Sequence, residues 1–226
     1  MDSELSPEVT FKDIKNSPKV KGLIEGANEV LKSMGYTEHG PRHVGIVAGI
    51  TRYILENLQV DRRQVELGQI AAYLHDIGNV VHRANHPMTG AALAFPLLNE
   101  MGLPIEEIAP ILGAIGNHEE MSGHPVSIMS AAVQIADKSD VHRSRVQNPI
   151  MESFDIHDRV NYAVTESRVE MDTATKTIAL ILTIDTKFAS VMEFFEIFVS
   201  RMVMCRGAAG SFGYRFRLTA NGVDLE

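Results

Sequence analysis

Apolar residues recur at helical spacing over residues 19 to 143 of this chain. The clearest stripe consists of Val44, Val47, Ala48, Ile54, Leu55 and Leu58. Pro41 stands just before this stripe, where the first turn of a helix tolerates proline. Similar patterns predict helices at 85–102, from Pro104 onward and at 125–140. We therefore expect this part of the chain to be helical throughout.

Polar residues between the stripes predict where one of the helices begins and ends. Asp61 and Gln64 have the spacing of a helix cap and its partner, and the apolar positions after them predict a helix that ends near His75-Asp76. Gly78 follows this dipeptide directly. We expect this glycine to take the left-handed conformation that commonly ends a helix.

The pattern changes after Pro149. Two runs rich in β-branched residues, at 162–168 and 178–184, predict strands joined by a hairpin turn. A long apolar stripe at helical spacing follows at 188–204, and alternating residues at 212–219 predict a last strand. The order ββαβ is typical of a small α+β unit.

The two regions together predict an α+β protein with two domains. We expect an all-α helical domain at 19–148 and a smaller α+β domain at 155–226. The helix at 188–204 has more apolar residues than one buried face needs. Two uses of this helix stay open: it covers the small sheet as core, or it also docks on the helical domain or forms a homodimer.

Composition and charge narrow the class of protein. The net charge is −8 and the basic residues do not cluster, so a nucleic acid polymer is not an expected partner. No apolar run is long enough to cross a bilayer, and residues 1–21 lack the apolar core of a signal peptide. Cys205 is the single cysteine, which fits a reducing compartment. We expect a cytoplasmic protein with no membrane partner.

Two aspartates stand among apolar residues, where a charge needs a partner. Asp76 ends one apolar run, and Asp137 follows the apolar run at 128–136. A buried carboxylate without a partner costs several kcal/mol, so a bound cation is the simplest explanation for both. His75 lies beside Asp76, and His43 lies on the inward stripe of its own helix. These residue types in this arrangement indicate a metal ion.

The order of these four residues resembles the HD superfamily of metal-dependent phosphohydrolases. That family has a lone histidine, then a His-Asp doublet, then a distant aspartate, which here correspond to His43, His75-Asp76 and Asp137. The resemblance extends over about residues 39 to 145. It implies the family's all-α helical bundle, in agreement with the helical pattern, and it implies that these four residues bind metal.

Members of the family with two metal ions have two more histidines between the doublet and the last aspartate. His86 and His118 stand at those places in this chain. The resemblance therefore implies six ligands and two divalent or mixed-valent ions, with Asp76 as a bridge. Imidazole and carboxylate donors suit iron or manganese. His39, four residues before His43, could be a further ligand or an alternative to it.

Polar residues near these ligands are candidates for catalysis. Glu119 or His124 would pass a proton to a leaving group, and Arg42 would bind phosphate. A lysine that some two-metal members carry shortly after the doublet is replaced here by Asn79. Four other cations could either bind phosphate or lie in solvent: Arg83, Lys138, Arg143 and Arg145.

The resemblance implies hydrolysis of a phosphate ester or anhydride by a metal-activated water. The expected substrate is a small phosphorylated molecule or a nucleotide. Cyclic-dinucleotide phosphodiesterases of this superfamily have Gly-Tyr-Pro where this chain has Gly123-His124-Pro125, so that substrate is not favoured. Two alternatives stay open: a di-iron oxygenase with the same six ligands, and a module that binds metal or nucleotide without catalysis.

Overall fold

The computed structural model describes residues 8–225, so part of the N-terminal segment considered for a signal peptide lies outside the described residues. The helices are α1 (Phe11–Asn16), α2 (Pro18–Ser33), α3 (Pro41–Asn57), α4 (Arg62–Leu74), α5 (His86–Met101), α6 (Ile105–Gly116), α7 (Ile128–Ser139), α8 (Ile156–Ala163) and α9 (Val191–Ser211). The strands are β1 (Val164–Asp172), β2 (Thr177–Ile184), β3 (Arg215–Ala220) and β4 (Val223–Leu225). The predicted α+β fold class is confirmed. None of the helices within residues 8–225 is long and apolar enough to cross a membrane.

The four strands form one mixed sheet in the order β1-β2-β3-β4. β1 and β2 make an antiparallel hairpin, β2 pairs in parallel with β3, and β3 pairs antiparallel with β4. A parallel pair needs a crossover connection, which α9 provides. The predicted order ββαβ lacks β4, which follows a tight turn at Asn221-Gly222. Both residues of that turn have positive φ, as an Asn-Gly hairpin requires.

The residues around Tyr162 form a helix, so the strand predicted at 162–168 is wrong over its first two residues. They belong to α8, and β1 begins at Val164. The cause is a strong N-cap: the Asp155 side chain accepts a hydrogen bond from the Asp158 backbone N–H at 2.8 Å. A local cap of this kind outweighs the strand preference of Tyr162.

Gly78 does not take the left-handed conformation, so this prediction is wrong. The residue lies in a 3-10 turn, Ile77–Val80, and its φ is not positive. Glycine is required there by close packing, because a Cβ at Gly78 would lie 2.0 Å from the His86 carbonyl oxygen and 2.5 Å from the Gly90 nitrogen. The turn after α4 therefore packs directly on the first turn of α5.

Two apolar clusters make up the core. The first lies among α1 to α7. The second joins residues of α3, α4 and α7 to the sheet and to α9, which contacts both β3 and α7. Phe194, Phe198 and Cys205 of α9 are fully buried in it. Helix α9 therefore covers the sheet and also docks on the helical region; the homodimer and the domain division at 148–155 stay predictions.

Candidate metal centre

Six side chains from the ends of five helices meet inside the helical region. They are His43 in the first turn of α3, His75 and Asp76 directly after α4, His86 at the start of α5, His118 just after α6, and Asp137 near the end of α7. All six are buried, and the most exposed, Asp137, is 9% exposed. The structure thus brings together every residue that the sequence predicted as a ligand.

Four of these residues surround one point. His43 Nε2 lies 3.6 Å from Asp76 Oδ2 and 3.4 Å from Asp137 Oδ1. His75 Nε2 lies 3.3 Å from the same Asp76 oxygen and 3.6 Å from the same Asp137 oxygen. Two imidazole nitrogens and two carboxylate oxygens therefore converge, which is a suitable donor set for one cation.

The other two histidines face the second oxygen of Asp76. His86 Nε2 lies 3.3 Å from Asp76 Oδ1, and His118 Nε2 lies 3.8 Å from it. The two histidine Nε2 atoms are 2.9 Å apart. Asn79 holds the shared carboxylate in place, because its Nδ2 donates to Asp76 Oδ1 at 2.8 Å and to the Asp76 carbonyl at 3.0 Å. Asp76 thus presents one oxygen to each pair of histidines.

The four histidine rings are oriented by hydrogen bonds from their outer nitrogens. Nδ1 donates to an oxygen in each case: His43 to Asp140 Oδ2 at 2.7 Å, His75 to the Ala72 carbonyl at 2.7 Å, His86 to the Arg83 carbonyl at 2.9 Å, and His118 to the Ile115 carbonyl at 2.6 Å. A neutral imidazole that donates from Nδ1 has a lone pair on Nε2. All four Nε2 atoms face the centre of the group, where each can offer a lone pair to a metal ion once it carries no proton.

Unpaired polar atoms at this centre show that the residues fit metal ions. His43 Nε2, His75 Nε2 and Asp76 Oδ2 are buried without a hydrogen-bond partner among residues 8–225. A buried polar atom without a partner costs about 1–3 kcal/mol. A cation bound between these atoms would supply the missing partner for all three.

Metal binding is expected to release about one proton per chain from His75 near neutral pH. Burial lowers the pKa of His75, but the Asp76 and Asp137 carboxylates outweigh burial and raise the pKa to about 10. The raised pKa favours an imidazole that is protonated on both nitrogens in the metal-free protein, so that a metal must displace the proton from Nε2. Titration calorimetry with manganese in buffers of different ionisation enthalpy measures the release, which should disappear above the pKa of His75. Binding without proton release would show that His75 is already neutral in the metal-free protein and would contradict the raised pKa.

Asp140 is a further buried carboxylate, beside the centre that contains Asp76 and Asp137. The sequence pattern did not assign a role to Asp140. Its Oδ2 accepts from His43 Nδ1, and its two oxygens accept from Arg42 Nη1 at 3.1 Å and Nη2 at 2.8 Å. Burial raises the pKa of Asp140, but His43, Arg145 and Arg42 outweigh it and hold the pKa well below its usual range. The charged carboxylate orients His43 and increases the basicity of its Nε2.

The variant Asp140→Asn is expected to bind manganese roughly 10- to 100-fold more weakly, because His43 loses a charged partner that orients its ring. Calorimetric dissociation constants measure the change. Asp172→Asn is the matched control: Asp172 lies in an exposed hairpin turn, where asparagine can accept the same backbone hydrogen bonds. Equal affinities for the two variants would show that Asp140 does not act on the metal centre.

A cavity of about 380 Å³ opens beside the ligands. Asp76, His118 and Asp137 form part of its wall, so at least three of the six ligands are reached from it. Residues before α3, including Tyr36 and His39, form another part of the wall. A further part comes from the region after α7, including Phe198 and Arg201 of α9. A molecule of substrate size can therefore reach the centre through a cavity that the two regions of the chain build jointly.

The structure separates the residues predicted to be catalytic. Glu119 lines the cavity. His124 is exposed and is not part of the cavity wall, and Arg42 pairs with Glu38 and Asp140 on another side of α3. The catalytic assignments of all three stay predictions.

The remaining candidates also lie at different places. His39 lines the cavity, with its ring centroid 5.3 Å from that of His43, but it is not part of the ligand groups found among residues 8–225. Arg143 lies over the ring of Tyr162, 5.1 Å from its centroid. The other three cations line the cavity: Arg83, Lys138 and Arg145.

The chain is similar to a family model, to a protein of known sequence and to a protein of known structure. The family model of the HD domain matches residues 42–142, which contain all six candidate ligands. An uncharacterised protein of Methanocaldococcus jannaschii is 26% identical over 177 residues, which make up 67% of this chain and 67% of that protein. The crystal structure of a predicted HD superfamily hydrolase from an uncultured Thermotogales bacterium is 25% identical. Its TM-score is 0.45, over 55% of this chain and 67% of that one. The family match coincides with the region that resembles the HD superfamily in the sequence, and that resemblance is confirmed.

Proposed function

We propose that this protein is a metal-dependent phosphohydrolase that cleaves a phosphate ester or anhydride of a small molecule or nucleotide. The observation that carries the proposal is the position of Asp76, whose two oxygens face two different pairs of imidazole nitrogens. A carboxylate placed in this way is suited to bridge two cations. The HD domain and the cavity beside the ligands support the same conclusion.

The ligands divide into two groups in this proposal. One ion would be held by His43, His75, Asp76 and Asp137, and the other by His86, His118 and the second oxygen of Asp76. Iron and manganese suit this mixture of imidazole and carboxylate donors. Two ions bound in this way would lower the pKa of a water molecule and would stabilise charge on phosphoryl oxygens.

Arg83 is placed to bind the phosphoryl group. It lines the cavity, its Nη1 lies 3.3 Å from His86 Nε2, and its Nη2 donates to Glu119 Oε2 at 3.2 Å. A guanidinium has five donors, so these contacts leave others for phosphoryl oxygens. Arg83 takes the role that the sequence analysis gave to Arg42, because Arg83 and not Arg42 reaches the cavity that contains the ligands.

Glu119 is suited to donate a proton to the leaving group. Burial raises the pKa of Glu119, and the nearby Glu120 adds to this, against smaller effects of Lys138 and Arg83. A carboxyl with a raised pKa keeps its proton closer to neutral pH and can act as a general acid. Glu119 lines the cavity and His124 does not, so Glu119 is the proton donor of this proposal.

The proposal is tested with purified protein that has been loaded with manganese or iron and analysed for metal content. About two ions per chain are expected, with hydrolysis of p-nitrophenyl phosphate or of nucleotides that a chelator abolishes. Full metal occupancy without turnover of any phosphate ester would overturn the proposal. In that case, substrate-dependent oxygen uptake would favour the di-iron oxygenase, and tight nucleotide binding without turnover would favour the non-catalytic module.

The variant Glu119→Gln is expected to lose about a hundredfold in kcat on an alkyl phosphate such as glycerol phosphate. The loss on p-nitrophenyl phosphate should be much smaller, because p-nitrophenolate leaves without a proton. Steady-state kinetics on both substrates measure the difference. Glu152→Gln, at an exposed position, is the control. Equal losses on the two substrates would assign Glu119 to another role.

A further inference from the structure

Arg201 is a cation of the cavity wall that belongs to α9 and lies outside the HD domain. It lines the same cavity as Asp76 and Asp137, although it is 59 residues beyond the end of the family match at residue 142. Its side chain is 24% exposed, so the guanidinium is largely withdrawn from bulk solvent. A guanidinium that is withdrawn from solvent needs a partner for its charge. The partners that Arg201 has within the protein therefore determine whether it can also bind a ligand.

The guanidinium of Arg201 is held in one orientation from two sides. It lies over the ring of Phe198, 4.6 Å from the centroid, and Phe198 in turn stacks on Phe194 at 4.8 Å. Arg201 Nε donates to Glu120 Oε1 at 3.2 Å. Glu120 is its only hydrogen-bond partner within residues 8–225. Both Nη groups, the open side of the guanidinium fork, are therefore available to a ligand.

The charges around Arg201 leave an excess of positive charge when the metal centre is loaded. Arg201 and Lys138 both pair with Glu120, because Glu120 Oε2 lies 2.8 Å from Lys138 Nζ; Lys138 Nζ in turn lies 2.7 Å from Asp137 Oδ2. These four groups are neutral together. Once a metal ion compensates the charge of Asp137, Arg201 and Lys138 share Glu120, while Glu119, the other carboxyl near Lys138, pairs with Arg83. The group then attracts an anion.

The acidic residues nearby are already engaged. Asp155 lines the cavity, but its side chain caps α8. Asp140 is bound by His43, Arg42 and Arg145. No other acidic partner of Arg201 is found in the part of the chain that the structure describes. An anionic group of a bound ligand is therefore the partner that remains for the two Nη groups of Arg201.

We propose that the substrate carries a second anionic group, a carboxylate or a further phosphate, and that Arg201 binds it. This inference rests on the proposed function, because the first anionic group is the phosphoryl group at the metal centre. Arg83 lies beside His86 at the metal-centre end of the cavity, where it would bind the phosphoryl group. A cavity of about 380 Å³ has room for much more than one phosphoryl group. A fixed guanidinium fork suits carboxylate and phosphate equally.

The test uses three phosphonates that share one scaffold and cannot be hydrolysed. Benzylphosphonate has one anionic group, 4-(phosphonomethyl)benzoate adds a carboxylate, and p-xylylenediphosphonate adds a second phosphonate. Calorimetry measures their binding to manganese-loaded protein. The doubly anionic probes should bind roughly 10- to 100-fold more tightly than benzylphosphonate, as expected for a charge-assisted pair. The doubly anionic probe that binds more tightly shows whether Arg201 prefers a carboxylate or a phosphate-like group.

Variants at Arg201 decide whether this residue is responsible. In Arg201→Ala the three probes should bind with nearly equal affinity, and Arg201→Lys should restore the preference only in part, because lysine lacks the fork. Arg206→Ala, at an exposed position of the same helix, should retain the full preference. Thermal unfolding of each variant controls for folding.

The outcomes separate this inference from the proposed function. A preference for the doubly anionic probes that Arg201→Ala abolishes supports the inference, whether or not phosphate esters are hydrolysed. Equal binding of all three probes to the unaltered protein, or a preference that survives Arg201→Ala, overturns it. Hydrolysis of phosphate esters alongside either of those results would leave the proposed function intact.

Discussion

Replacing Asp76 by asparagine is expected to reduce phosphate ester hydrolysis by about a thousandfold, equivalent to about 4 kcal/mol at the transition state. The two oxygens of Asp76 face both pairs of histidines. A neutral amide at this position should therefore weaken metal binding by both groups of ligands. Asparagine has nearly the same volume as aspartate, and His75 can lose its proton when the neighbouring charge is removed, so the fold should be retained. Metal analysis measures the loss of bound metal, and steady-state kinetics measure the loss of activity.

The control for Asp76→Asn is again Asp172→Asn, which changes the same chemical group in an exposed turn. It should retain both its metal content and its activity. Full activity in the Asp76→Asn variant would show that the reaction does not depend on this centre. Loss of activity with unchanged metal content would limit Asp76 to a role in binding substrate.

The variant Gly78→Ala is expected to lose more than about 4 kcal/mol of folding free energy, which is at the extreme end for a single substitution. The added methyl group would lie 2.0 Å from the His86 carbonyl oxygen, which belongs to the backbone and cannot rotate away. Relief of this clash would move the first turn of α5, and His86 with it. Urea unfolding of the metal-free protein measures the loss.

Gly49→Ala is the matched control for Gly78→Ala, since Gly49 lies on the exposed face of α3 and an added Cβ meets nothing within 4 Å. Alanine there should stabilise the helix by up to about 1 kcal/mol. A Gly78→Ala variant of unaltered stability would contradict the close packing of the turn on α5.

Much of the helical region, and the meeting of the six candidate ligands, could be predicted from the sequence. The apolar stripes have a clear helical period, and Asp76 and Asp137 are conspicuous because carboxylates rarely stand among apolar residues without a partner. The conformation of Gly78 could not be predicted in the same way. A glycine after a helix is equally compatible with a left-handed stop and with a close contact, and only the position of α5 distinguishes them.

The sequence also contained signals that the periodicity of apolar residues does not use. Asn221-Gly222 is a strong hairpin signal and predicts β4. Asp140 lies three residues after Asp137, close to one turn of helix, so it could have been expected near the same centre. Arg201 gave a weaker signal, since a cation in an apolar stripe is often at the surface. Its place in the cavity depends on how α9 docks on α7, which local sequence does not determine.

The single cysteine of the chain lies on α9, the helix that carries Arg201. Cys205 is fully buried, and burial raises the pKa of its thiol to about 12. Because alkylating reagents attack the thiolate, they can modify Cys205 only in molecules in which α9 has left its place against the sheet and α7. The rate of alkylation of Cys205 in the unaltered protein therefore reports how often α9 detaches. A bound anion that contacts Arg201 should lower this rate, and the decrease would measure how strongly the ligand holds α9 in place.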